Sequence, residues 1–223
     1  MEMNPGESSQ AAPHLPDGAV LSKGTLKRRL RGDLIISPIL DESQIGEGSV
    51  DISLGTRFIR SRRSKMTEID FPGLTRDDIH SFQESVVAPF DGQYILHPRG
   101  FVLGCTFEFI ALPTDICAFI LSRSSYGRAG LLIATATFVH PGWRGCLTLE
   151  LENLGEIPII LRPLSTVGQL VLLSASKLPE QPPAKLIPVG PMFTTLNEDP
   201  RWEKIQALSS REGTVVAETR KPR

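Results

Sequence analysis

The sequence is poor in cysteine: Cys105, Cys117 and Cys146 are the only three. Their number is odd and none stands in C-x-x-C spacing. That excludes a disulfide framework and a thiolate zinc site, and it points to reduced, buried thiols in a cytoplasmic protein. An excess of either charge is also lacking. Lys and Arg number 24 against 25 Asp and Glu, for a net charge of −1. The chain as a whole therefore offers no electrostatic footprint for nucleic acid or for an anionic membrane, and any anion site has to be a local cluster. No apolar run approaches the roughly 18 residues of a membrane-spanning helix, so none is expected. The opening stretch, MEMNPGESSQAAPHLPDG, has no basic-then-apolar signal pattern. No internal repeat is present. With 223 residues, 40% of them hydrophobic and 22% charged, the chain suits one large soluble domain with tails.

Residues 1–20 are rich in Pro, Gly, Ser and Ala without any period and read as a flexible lead. Residues 22–33, SKGTLKRRLRGD, have helix character, with Ser22 as cap and Leu26 and Leu30 four apart. The cluster Lys27, Arg28, Arg29 and Arg31 reads as a solvated helix face. Residues 34–40, broken by Pro38, suit a short edge strand. Residues 60–85 form a charged excursion whose apolar spots, Met66, Ile69, Phe71 and Leu74, suggest a partly packed loop. Strands are expected at 49–58, 94–96, 101–112, 116–122, 131–139, 145–151, 157–161 and 167–174, punctuated by Gly and Pro. Many short strands at such spacing indicate an all-β barrel or jelly roll with a few short helices, with Phe101, Phe107, Phe109 and Phe119 in its core. After residue 178 the chain becomes a Pro-rich arm and then a polar tail, so the β domain is placed at 21–178 and the arm and tail at 179–223.

Residues 123–130 read RSSYGRAG and interrupt the strands with a short helical turn. Guanidinium forks and hydroxyls both offer donors to phosphate oxygens, so Arg123, Ser124, Ser125 and Arg128 are candidates for a polyphosphate cradle. They equally fit a turn with hydroxyl capping and solvated arginines. Alternation puts Cys146, Thr148, Glu150 and Glu152 on one strand face and Leu147, Leu149 and Leu151 on the other. Glu150 thus fits a solvent-facing carboxylate, or a general base raised in pKa by apolar neighbours. Trp143, after a turn, packs under the hairpin that precedes it.

The stretch 121–173 carries three motifs in order: R-S-S-x-x-R-x-G, P-G-W-x-G-C-x-x-L-E and R-P-x-x-x-x-G-Q-L. Upstream stand GSVDISLGTRF (48–58) and YILHPRGFVLGCTFEFIALPTDI (94–116). Together these resemble the dCTP deaminase branch of the dUTPase superfamily, over roughly residues 25–175. The resemblance implies a mainly β fold, a dUTPase-like distorted β-barrel or jelly roll, and a homotrimer with active sites shared between subunits. It implies metal-independent hydrolytic deamination of dCTP, or of a related cytosine nucleotide, to the uracil form and ammonia, with Mg²⁺ only accompanying the triphosphate. By position Glu150 becomes the base that takes a proton from the attacking water, with Arg128 and Ser124 beside it. Arg123, Ser125 and Gln169 fall on phosphate and substrate ligands, and Thr135, Ala136 and Trp143 on the hairpin that lines base and sugar. Asp51 falls on a residue of structural role. The tail at 201–206 is similar to a segment that folds over bound nucleotide, so Arg201, Lys204 and Gln206 are further candidates, with Trp202 helping to exclude water. The zinc route of other cytidine deaminases needs a P-C-x-x-C pattern, and none occurs.

The chain also departs from the family. Relatives commonly read H-x-T-A-x-x-I-D-P-G before the catalytic strand. Here the hairpin is one residue shorter, its His is absent, and His140 stands in place of the Asp that orients water for pyrophosphate hydrolysis in dUTPases. The departure argues against a diphosphatase unless His140 substitutes. A dUTPase, a bifunctional deaminase-diphosphatase and a nucleotide-binding regulator remain the alternatives.

Overall fold

The computed structural model describes residues 16–69, 74–135 and 137–176. They divide into two compact units, one from residues up to 60 and from 85 onward, the other from 61–84.

In the larger unit the first element is α1 (Lys23–Leu30). The Ser22 hydroxyl caps it by accepting from the Thr25 amide at 3.4 Å, and Leu26 anchors it, fully buried. Its basic face is not simply solvated. Arg29 grips Asp33 and Asp115 at 2.7–3.1 Å, a two-carboxylate fork that ties α1 to the entry of a distant strand. Arg28 and Arg31 are exposed. Then follow β1 (Ile35–Ser37), a 3-10 turn (Glu42–Gln44), β2 (Ser49–Ser53), β3 (Arg57–Ser61), β4 (Gln83–Val87), β5 (Tyr94–Leu96), β6 (Phe101–Cys105), β7 (Phe109–Ala111) and β8 (Ile116–Ser122). After the short helix α3 (Ser124–Arg128, numbered after α2 below) come β9 (Leu131–Ile133), β10 (Phe138–Val139), β11 (Arg144–Gly145), β12 (Thr148–Asn153), β13 (Ile159–Leu161) and β14 (Thr166–Ser174).

The protein is mainly β, as expected. The strands divide among four sheets and do not close into one barrel among the described residues: β10-β8-β14-β2, β4-β3-β6-β12-β9, β1-β7-β11 and β13-β5. One continuous buried cluster draws Val50, Ile52, Ala118, Ile120, Leu170 and Leu172 from the first sheet and Phe58, Val102, Leu131, Leu149 and Leu151 from the second. Residues 16–21 run along β14, with the Gly18 amide on Ser174 O and the Leu21 amide on Leu172 O at 2.8 and 2.9 Å. The remainder of the lead, and the arm and tail from 177, lie outside the described residues.

Further expectations need correction; the single strand expected at 49–58 is two, β2 and β3, broken at 54–56. The four phenylalanines assigned to the core do not make it. Phe101 and Phe119 are 42% and 37% exposed, and Phe107 and Phe109 are only half-buried. Phe119 sits between buried Ala118 and Ile120, so strand alternation turns it outward. The single strand expected at 101–112 is two, because side chains take over the ladder at 106–108. The Thr106 hydroxyl accepts from Leu147 N at 2.9 Å and donates to Glu108 O at 2.8 Å.

In the smaller unit the excursion holds α2 (Arg76–Phe82). Thr75 and Asp78 form a reciprocal capping box. Leu74 and Ile79 are buried, whereas Ile69 is exposed; Phe71 lies outside the described residues. Among the described residues no helix is long and apolar enough to cross a membrane.

All three cysteines are free and buried. Burial pushes all three thiols up, Cys105 to about 12. The native protein should therefore leave a disulfide-exchange reagent unreacted at pH 8, and should release three equivalents of thiol once unfolded. Rapid reaction of any thiol in the native state would contradict this burial.

Candidate active site

β8 delivers the chain to Arg123, whose extended backbone caps α3 and whose carbonyl accepts from the Tyr126 and Gly127 amides at 3.1 and 3.0 Å. The resulting turn is short and bears no buried residue. Ser124, Ser125 and Arg128 are exposed, and among the described residues their side chains hold no hydrogen bond or ion pair. Donors without protein partners suit an anionic ligand. Gly130 closes the turn at φ +91°, and its carbonyl accepts from Leu154 N at 2.8 Å. That bond fastens the turn to the end of β12.

β12 carries Glu150. Its register sets Glu150 opposite Leu103 of β6, with Leu149 and Leu151 fully buried on the inner face. Glu150, Thr148 and Glu152 lie half-exposed on the other face. Cys146, expected to share that face, is buried, because β12 begins only at Thr148. Along the other edge of β12, β9 stops pairing just before Glu150, and Thr135 replaces the ladder. Its hydroxyl accepts from the Glu150 amide at 2.8 Å and approaches Thr148 O at 3.4 Å, while the Ala134 amide donates to Glu150 O at 2.8 Å. The hydroxyl of Thr135 is thus committed to the backbone beneath Glu150. Thr135→Val should orphan the Glu150 amide and lower kcat by about tenfold, with little change in KM. Thr135→Ser should restore the rate. Equal kcat for the wild type and Thr135→Val would remove this support from Glu150.

A second cluster gathers where β8, β14 and β2 meet. Gln169 of β14 is in register with Asp51 of β2 and with Leu121 of β8. The Asp51 carboxylate lies 3.7 Å from the Arg123 guanidinium, and the Ser49 hydroxyl donates to Gln169 Oε1 at 3.1 Å. Arg123, Asp51, Gln169 and Ser49 therefore share one face. No hydrogen bond or ion pair among the described residues joins this cluster to Glu150; α3 spans the interval. The Asp51 and Ser49 contacts were not legible from residue types, because they depend on strand register.

Trp143 is half-buried against the core, with its indole N–H on Gly145 O at 3.3 Å. His140 is exposed, and its ring stands edge-on to Phe138 at a centroid distance of 4.9 Å. Phe138 in turn lies 5.3 Å from Phe119. Ala136, Arg201, Lys204 and Gln206 lie outside the described residues. Among the described residues no group of three His, Cys, Asp or Glu side chains is placed to hold a metal ion.

A family model described as dCTP deaminase-like matches residues 20–175. The chain is 37% identical over 166 residues to a dCTP deaminase of Haloarcula marismortui, covering 73% of this chain and 84% of that protein. It is 41% identical over 153 residues to a dUMP-forming dCTP deaminase of Rhodococcus erythropolis, covering 68% of this chain and 78% of that protein. Among solved structures it resembles the 2'-deoxycytidine 5'-triphosphate deaminase of Agrobacterium tumefaciens, with a TM-score of 0.56 and 25% identity. That match covers 71% of this chain and half (50%) of the other.

Proposed function

The chain belongs to the dCTP deaminase-like family, and from that premise we propose that it hydrolyses the C4–amino bond of dCTP, releasing ammonia and leaving dUTP. The observation that carries the reading is Glu150. Its backbone is fixed by Thr135 and its carboxylate is half-exposed on β12, whose end is tied through Gly130 to the turn bearing Ser124, Ser125 and Arg128, donors without hydrogen-bond or ion-pair partners among the described residues. In the proposed reaction Glu150 takes a proton from water and the resulting hydroxide adds at C4. The C4–N bond then breaks, and the proton passes to the departing ammonia. Arg128 and Ser124 orient the water and stabilise developing charge, while Arg123, Ser125 and Gln169 hold phosphate. Magnesium arrives with the triphosphate as its counter-ion, and attack at C4 proceeds on the chain's own side chains.

A homotrimer with shared sites is part of the proposal. Phe119, Leu121 and Phe138 are 37%, 44% and 41% exposed on one side of the β10-β8-β14-β2 sheet, a patch that a second copy would cover. Among the described residues no hydrogen bond or ion pair connects the Arg123 and Glu150 clusters, as expected if each completes its site with a neighbour's groups.

A second reading rests on relatives named as dUMP-forming, such as those of Methanosphaera stadtmanae and Rhodococcus erythropolis. It requires His140 or another group to place water at the α-phosphate. One assay decides: incubate the protein with dCTP and Mg²⁺, with and without a chelator, and resolve the nucleotides by anion exchange. dUTP and ammonia, persisting under chelation, are expected. dUMP and pyrophosphate would establish the second reading. Bound but unaltered dCTP would mean a regulator.

A further inference from the structure

Among the described residues β2 is an edge strand: its sheet ends there, and β14 is its only full partner. Its outer edge is nevertheless occupied. Ser49 O accepts from Gly46 N at 2.8 Å, and Ser53 O accepts from Phe107 N at 2.8 Å. Beside the backbone bridge of Ile45 to Val50, two of the groups between are met by side chains. Ser53 N donates to both oxygens of Glu108, at 3.1 and 2.9 Å, and Asp51 O accepts from Gln44 Nε2 at 3.4 Å. The same Gln44 nitrogen reaches Glu108 Oε1 at 3.4 Å, while Gln44 Oε1 accepts from the Leu40 and Asp41 amides at 2.6 and 3.0 Å. Glu108 is wholly buried. A wholly buried carboxylate persists only where its environment is committed to it, and removing such a partner is costly.

Asp51 lies between the two gripped positions, and its carboxylate meets Arg123 at 3.7 Å. We propose that Glu108 and Gln44 form a side-chain clamp standing in for a missing strand along β2, which aims Asp51 and through it sets Arg123 for the phosphates of the nucleotide. Glu108 is thereby a positioning residue. The proposal rests on the deaminase reading for the identity of the ligand. Thr106 secures the Glu108 carbonyl, which leaves the carboxylate to meet Ser53.

Glu108→Gln keeps the shape but turns one acceptor into a donor aimed at donors. It should raise KM for dCTP roughly five- to thirtyfold while kcat stays within about twofold. Gln44→Met removes the donor to Asp51 O yet leaves Glu108 on Ser53, and should shift KM the same way by less. It also keeps the question answerable should Glu108→Gln reduce the yield of folded protein. In an Asp51→Asn background either change should add little, because all act on the same guanidinium. Folded variants with wild-type KM, a fall in kcat alone, or additive effects with Asp51→Asn would each overturn the clamp. If the wild type binds dCTP but does not deaminate it, the deaminase reading fails while the same comparison of affinities by calorimetry still decides the clamp. If the wild type binds no dCTP, both fall.

Discussion

Glu150→Gln is expected to lower kcat for ammonia release by roughly 10²–10⁴-fold, the span a positioned general base contributes, while dCTP affinity stays nearly intact. Glutamine preserves the shape of the side chain but cannot take the proton from water. The change leaves no partner stranded, because among the described residues the Glu150 carboxylate holds no hydrogen bond or ion pair. The bonds that fix the residue, Glu150 N to the Thr135 hydroxyl and Ala134 N to Glu150 O, belong to the backbone and survive. Single-turnover ammonia release and calorimetric dCTP binding separate the two effects. An undiminished rate would remove Glu150 as the base. A loss of binding that matches the loss of rate would make its role electrostatic, in holding substrate.

The second large effect is expected at Gly130. At φ +91° an L side chain is strained, and a Cβ there would lie 2.7 Å from Gly155 N and 3.0 Å from Gly155 Cα. Both are backbone atoms, so neither can swing aside. Gly130→Ala should cost on the order of 2–4 kcal/mol and lower Tm by roughly 5–15 °C. Because Gly130 O holds Leu154 N, relief of the clash should also displace α3 and weaken dCTP binding. Gly142→Ala is the control: φ is +79°, yet nothing lies within 4 Å of the added carbon. Only the dihedral penalty should appear there, about 1–2 kcal/mol. Equal losses at the two positions would mean that contact with Gly155 does not matter.

Some of this architecture was legible in the sequence. The alternation in β2 and β12 is plain, β8 and β14 fall where strands are expected, and Ser22 marks the start of α1 as capping chemistry requires. What escaped did so for identifiable reasons. α2 has seven residues and one buried side chain, Ile79, which is too little to show a period, although Thr75 and Asp78 spell its capping box. The strands expected at 101–112 and 131–139 break where Thr106 and Thr135 hydroxyls replace the ladder, and strand periodicity carries no trace of such a substitution. Phe119 and Phe138 are apolar and outward, and apolar character alone cannot tell a face turned to the core from one turned away from it. The motifs named Arg123, Gln169 and Glu150 as candidates. They could not show that Ser49 meets Gln169 across 120 residues of sequence, or that Asp51 faces Arg123.

The filled rim of β2 bears on how copies of this chain can meet. Bare strand edges recruit further strands without limit, since each addition exposes a fresh edge like the last. Here Gly46, Gln44, Phe107 and Glu108 already engage the backbone groups that would begin such growth. The β2 rim is thereby closed to a further strand, while the side of the same sheet that bears Phe119, Leu121 and Phe138 keeps its apolar groups exposed. In the proposed homotrimer, the same Glu108 and Gln44 contacts would keep this edge from propagating a fibre.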